Sequence, residues 1–230
     1  GALERGMANL QRHLHNLREV FGLPCVVGIN HFTSDTEAEH ALLRDRLGAM
    51  GVPVHTTRHW AEGGKGAVDL AREVVRACEQ PSTLRLAYDD EAPLWEKARL
   101  VATRIYGAAD ISASAAVRRQ IAALQAAGHG HLPVCIAKTQ YSFSTDAGLR
   151  GAPDGHVLDI REVRLAAGAE FVVLEHMELE VRRPSHLANG ASAAIEHVVF
   201  VVGQVGLANH QFAIQALQGF EVGLRPLLHE

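Results

Sequence analysis

The chain has 230 residues, 47% of them hydrophobic and 21% charged, with a formal net charge of -4. That is long enough for one large domain or two small ones, and too close to neutral to suggest nucleic acid or an anionic membrane as partner. Its three cysteines (Cys25, Cys78 and Cys135) are odd in number and widely spaced, with no C-x-x-C pair or metal framework; Cys25 and Cys135 lie in apolar strand-like runs and read as small buried hydrophobes of a reducing compartment. Together with the lack of a signal pattern or a membrane-length apolar run, this places the chain in the cytoplasm.

The first residues, GALERGMANL, already lie inside a helical pattern and read as an internal start: a fragment, or one product of a split gene. Leu3, Met7, Leu10, Leu14, Leu17 and Phe21 recur at steps of three and four, which predicts one amphipathic helix ending at Gly22. Leu23 to Ile29 is a short β-branched run and reads as a strand that stops at Asn30-His31-Phe32. Ser34-x-x-Glu37 has capping-box spacing, opening a helix that ends near Gly48 or Gly51. A second strand, Val52 to Thr56, leads into His59-Trp60-Ala61-Glu62-Gly63-Gly64-Lys65-Gly66.

Strand, loop, helix, strand, loop, helix is the order of a parallel crossover. Both loops then leave the carboxyl edge of the sheet, where open α/β sheets bind ligands. Phe32 and Trp60 fall one on each loop, 28 positions apart. From residue type alone, each ring either folds back to cap the sheet or faces a ligand.

A third helix from Gly66 is expected to bury Val68, Leu70 or Ala71, Val74, Val75 and Cys78, ending at Pro81-Ser82. Leu84 to Tyr88 reads as a short strand before the acidic turn Asp89-Asp90-Glu91. Pro93 opens a helix that runs to Tyr106-Gly107, and a further helix spans about Ser114 to Ala127. Leu132 to Ala137 reads as a buried strand that feeds Lys138-Thr139-Gln140-Tyr141-Ser142-Phe143-Ser144, a loop crowded with polar and aromatic groups. His156 to Leu165 alternates like a strand with one phase change, and Gly168 to Leu174 reads as another. Beyond Leu174 the texture changes and no motif emerges, as in a frameshifted or foreign tail.

Gly63-Gly64-Lys65-Gly66 ahead of a helix either holds an anion or is simply a tight loop; it is not a Walker A sequence. Asn30, at a strand's carboxyl end, either hydrogen-bonds a ligand heterocycle or shapes its own turn. The 14 histidines include only His-x-His pairs without a carboxylate or cysteine at ligand spacing, so no metal site is expected. No nucleophile elbow, zincin helix or Cys-His arrangement is present, and no catalytic residue is assigned.

Several segments resemble formate–tetrahydrofolate ligase: ALERGMANLQRHLHN, GLPCVVGINHFTSDTEAE, HWAEGGKGA, IYGA, LPVCIAKTQYSFS and GAPDGHVLDIREVRLAAGAEF. The resemblance spans about residues 2 to 173 in uninterrupted order and corresponds to the later, carboxyl-terminal part of that enzyme. It implies an α/β fold: a parallel-sheet, Rossmann-like lobe over 1–106, a smaller α+β lobe over 107–174, and an unmatched tail over 175–230. It also implies ATP-dependent ligation of formate to tetrahydrofolate through formyl phosphate, with ATP, Mg2+ and tetrahydrofolate bound, room for a monovalent cation, and a homo-oligomer. Phe32 and Trp60 match the family's pterin and adenine walls, with Asn30 and Gly63, Gly64 and Lys65 nearby. The family's P-loop half is missing, so the chain is expected to be inactive alone. The alternative is a non-enzymatic folate-binding remnant, or a subunit that completes a separate amino-terminal half.

Overall fold

A computed structural model describes residues 2–81, 83–137, 143–146, 148–176 and 198–202. It is a mixed α/β structure with short, largely parallel sheets, and the chain divides into two compact units. The first holds the elements up to Leu84 together with Val198–Val202; the second begins at Arg85.

In the first unit, helix α1 (Ala2–His15) passes into a π-helical turn over Asn16–Val20. The predicted stripe of Met7, Leu10, Leu14, Leu17 and Phe21 is buried. The helix stops at Gly22, where φ is +69° and a Cβ would lie 2.3 Å from the Thr83 carbonyl oxygen. Only glycine fits that turn. Strand β1 (Cys25–Asn30) follows, then α2 (Glu37–Ala49), β2 (Val54–Thr57) and the single-turn α3 (His59–Glu62). A 3-10 turn over Gly63–Ala67 leads into α4 (Val68–Cys78). β1 and β2 run parallel, as expected, and β8 (Val198–Val202) pairs antiparallel with the other edge of β1, giving the order β2-β1-β8.

Four local expectations differ from the structure. The capping box is Thr36 with Glu39, two residues beyond Ser34 and Glu37: the Thr36 hydroxyl accepts from the Glu39 N–H while the Glu39 carboxylate accepts from the Thr36 N–H. The same spacing rule fits both pairs, and the turn at Thr33-Ser34 decides between them. The stretch after β2 is helical rather than an open loop. None of the residues expected to form the buried face of α4 is buried: Val68, Ala71 and Val75 are exposed, Leu70, Val74 and Cys78 are half-buried, and the helix buries Ala77 instead. Residues 84–88 form no strand, although Ala87 and Tyr88 are buried.

The second unit contains α5 (Leu94–Arg104), β3 (Asp110–Ala113), α6 (Ala115–Ala126), β4 (Val134–Ile136), β5 (Val157–Ile160), β6 (Glu162–Ala166) and β7 (Phe171–Glu175). Pro93 precedes α5, Ser114 caps α6 through the Val117 N–H, and Gly128 ends α6 in the left-handed region. β3 pairs parallel with β5, while β4, β7 and β6 form a second sheet in that order. The predicted strand over His156–Leu165 is two strands broken at Arg161 and placed in different sheets, which accounts for its phase change. Lys97, on the core face of α5, is fully buried; its ammonium donates to the Gly130 and Leu132 carbonyls at 2.8 and 3.1 Å and lies over the Tyr88 ring. Burial lowers that amine's pKa, opposed by Asp90, Glu91 and Asp89 of the acidic turn. Most of the polar loop (138–142) and most of the tail lie outside the described residues.

Candidate functional site

The carboxyl ends of β1 and β2 meet with Asn30 opposite Thr57. Thr57 is buried, and its single hydroxyl proton is shared between the Ile29 carbonyl, at 3.2 Å, and Asn30 Oδ1, at 3.1 Å. Asn30 is thereby held by its carbonyl oxygen, with its amide N–H donors turned away from Thr57. One residue further on, the His31 N–H donates to the Thr57 carbonyl at 2.9 Å, which carries the strand pairing into the loop.

The Phe32 loop is clamped rather than loose. Asp35 Oδ2 accepts from the Phe32 N–H at 2.8 Å, and the Asp35 N–H donates back to the Phe32 carbonyl at 3.1 Å. The same carboxylate oxygen lies 3.2 Å from Nε2 of the buried His40, on the first turns of α2. The His31 ring meets the His40 ring edge-on, with centroids 5.1 Å apart. Bonds to a charged acceptor are the stronger kind, so this small network fixes where Phe32 can point.

Trp60 reaches the same place from α3. Its indole N–H donates to the His31 carbonyl, and its ring lies nearly parallel to Phe32, with centroids 6.3 Å apart and planes 14° apart. Neither ring is buried: Phe32 is 40% and Trp60 52% exposed. Two large apolar faces are thus held parallel and open at the carboxyl edge of a parallel strand pair, an arrangement suited to a flat heterocycle.

Gly63, Gly64 and Lys65 occupy the exposed 3-10 turn just after Trp60. Gly63 has φ +59°. Gly66 donates no side chain because none would fit: a Cβ there would lie 2.5 Å from the Arg58 carbonyl carbon. The Arg58 N–H donates to the Gly66 carbonyl at 2.9 Å, closing the turn under Trp60. Asn30, Phe32 and Trp60 therefore gather at one edge, and the glycine turn follows directly in the chain.

Thr57, Asp35, His40 and His31 are site residues that the sequence reading missed. Asp35 and His40 lie five positions apart and Thr57 lies 27 from Asn30, and no local sequence pattern marks either pairing. Among the described residues, no group of three or more His, Cys, Asp or Glu side chains is placed to hold a metal ion, and no helix is long and apolar enough to cross a membrane.

Comparison with known proteins agrees with the resemblance. The family model of formate–tetrahydrofolate ligase matches residues 1–187, running past the point where the resemblance was expected to stop. The formate–tetrahydrofolate ligase of Methylibium petroleiphilum is 58% identical over 177 residues, which is 75% of this chain and 32% of that protein. The enzymes of Granulibacter bethesdensis and Methylococcus capsulatus are 57% and 59% identical over 173 residues each, again 75% of this chain and 30% and 31% of theirs. The chain thus spans about a third of the length of these relatives. With most of its length inside the family match, the chain belongs to the formate–tetrahydrofolate ligase family.

Proposed function

We propose that this chain carries the heterocycle-stacking part of a formate–tetrahydrofolate ligase site, and that Phe32 and Trp60 are its walls. The observation that carries this reading is the exposed, near-parallel ring pair at the sheet's carboxyl edge. A flat ring between two others needs about 7 Å, twice the carbon–carbon contact distance. The present 6.3 Å spacing requires movement on the order of 1 Å. Asn30 offers amide donors to the bound heterocycle, and the Gly63-Gly64-Lys65 turn offers backbone N–H groups and one ammonium to an anionic group of the ligand. In the same reading, the first unit belongs to the Rossmann-like lobe and the second to the smaller α+β lobe.

The complete ligase would use ATP, formate and tetrahydrofolate. Formate oxygen attacks the γ-phosphorus and ADP leaves; a folate nitrogen then attacks the formyl carbon and phosphate leaves. The described residues offer no carboxylate cluster for a magnesium ion, so metal binding and the phosphoryl step are not assigned to this chain. Its contribution is to hold and orient the ring systems. A homo-oligomer, or pairing with the remainder of the ligase, belongs to this reading. In a second reading, which rests on the same exposed ring pair, the chain binds folate without catalysis.

Trp60 reports on this directly. The chain has two tryptophans, so Trp95→Phe leaves Trp60 as the sole indole emitter. Tetrahydrofolate at micromolar concentration should quench that emission, while the chain alone forms no 10-formyltetrahydrofolate from formate and ATP. Unchanged emission up to millimolar tetrahydrofolate in a folded chain would overturn the stacking role.

A further inference from the structure

Asp35 and His40 stand at defined places in the entry to α2. With Thr36 as the N-cap and Glu39 closing the capping box, Asp35 is the residue before the cap and His40 the fourth residue of the helix. Those two positions ordinarily hold an apolar pair, a hydrophobic staple that fixes the angle at which the chain enters the helix. Here the staple is polar. Asp35 Oδ2 lies 3.2 Å from His40 Nε2, and the two side chains are 15% and 5% exposed. A carboxylate offers only acceptor sites, so this contact is a hydrogen bond when Nε2 carries the proton.

Packing alone does not ask for an imidazole at this position. His40 shares the buried face of α2 with Leu43 and Leu47, so a leucine would fill it without the cost of burying two ring nitrogens. What the imidazole adds is reach in two directions. Its Nε2 meets the carboxylate oxygen that also accepts from the Phe32 N–H at 2.8 Å. Its ring meets the His31 ring edge to face, with 5.1 Å between centroids. The His31 carbonyl in turn accepts from the Trp60 indole N–H, and the His31 N–H donates to the Thr57 carbonyl at 2.9 Å. One buried side chain therefore stands behind both walls of the ring pair, through Asp35 to Phe32 and through His31 to Trp60.

We propose that His40 is a positioning residue for the heterocycle site. Its Nε2–H donates to Asp35 and its ring sets His31, so that Phe32 and Trp60 are held parallel before a ligand arrives. It acts through those two residues and not by contact with the ligand. Walls ordered in advance need not be ordered on binding, which raises affinity. This rests on the stacking role proposed above, and its test begins with the empty site so that the two can fail separately.

The first measurement is nuclear magnetic resonance of the parent chain with its histidines isotope-labelled at nitrogen. A protonated, pyrrole-type Nε2 on His40 is expected; a bare, pyridine-type Nε2 would overturn the proposal. It needs no variant and no ligand, so it decides even where a substitution fails to fold. The second compares His40→Leu with His40→Gln in the Trp95→Phe background. Leucine keeps the packing and removes the donor, whereas glutamine places an amide N–H close to where Nε2 stood. In His40→Leu the Phe32 amide should exchange with solvent about 10-fold faster, the scale of one hydrogen bond to a carboxylate. Its Trp60 emission should shift and its affinity for tetrahydrofolate should fall several-fold, while the β1 amides exchange as in the parent. His40→Gln should restore all three. Unchanged Phe32 exchange and Trp60 emission in a folded leucine variant would overturn the proposal. So would faster exchange spread evenly through β1, the mark of a residue that only supports the fold. A parent chain that shows every empty-site signature without binding tetrahydrofolate would overturn the stacking role, and would leave His40 as the residue that aligns the two rings.

Discussion

Two aromatic pairs of nearly equal spacing sit in opposite surroundings. Tyr106 and Phe143, in the second unit, are 6.1 Å apart, edge to face at 78°, and both are buried. Phe32 and Trp60, in the first, are 6.3 Å apart, nearly parallel, and both are exposed. The first pair is finished: ring edges meet ring faces, and the Tyr106 hydroxyl donates to the Ile136 carbonyl. The second pair is held in place by backbone bonds and by Asp35, yet its faces remain open to solvent. Aromatic pairs that only pack are buried; a pair positioned and left exposed is the one to read as a binding surface.

The comparison predicts opposite mutational signatures. Tyr106→Ala opens a cavity in a closed core and should cost about 3–5 kcal/mol of stability by chemical denaturation. A loss below about 1 kcal/mol would mean that this core is not closed. Acid should act on the same unit. Burial of His176 lowers its pKa from 6.5 to about 4, so the folded form binds fewer protons than the unfolded chain between those values. Stability is then full above about pH 6.5 and falls as pH drops toward 4, by an amount on the order of 3 kcal/mol. His176→Gln should flatten that limb in a pH series of denaturant midpoints.

Smaller effects belong to the first unit. Gly66→Ala places a Cβ against the Arg58 backbone and should cost about 1–3 kcal/mol, with Trp60 displaced and its emission shifted. Asp35→Asn keeps the shape but weakens the acceptor shared by the Phe32 N–H and His40. It should change stability by less than about 1 kcal/mol and weaken tetrahydrofolate binding several-fold in a calorimetric titration. Equal binding in that variant would show that the clamp does not set the ring pair.

Much of this contrast was legible in the sequence, and the parts that were not have physical reasons. The alternation of β-branched runs with a 3.6-period stripe located β1, β2 and α1, and the crossover rule placed Phe32 and Trp60 on one edge. The long, specific motifs located the family. By contrast, Asp110–Ala113 is a strand of only four residues, two of them polar or charged, and its partner β5 comes from 47 positions later. No local pattern encodes such pairing. The Thr36 cap was hidden because Ser34 offers the same signature two residues earlier. The exposure of Val68 and Val75 contradicts periodicity alone, which reports that a face is apolar but not whether anything covers it.

The central claim is that the exposed pair exists for a ligand and not for the fold. Its most direct test is calorimetric titration of tetrahydrofolate into the chain and into Trp60→Ala, with the denaturation midpoint of each measured alongside. The account predicts micromolar binding that is lost in the variant, and midpoints that agree to within about 0.5 kcal/mol, as expected for an exposed side chain. A variant that binds as well as the parent, or one that loses stability on the scale of Tyr106→Ala, would contradict it.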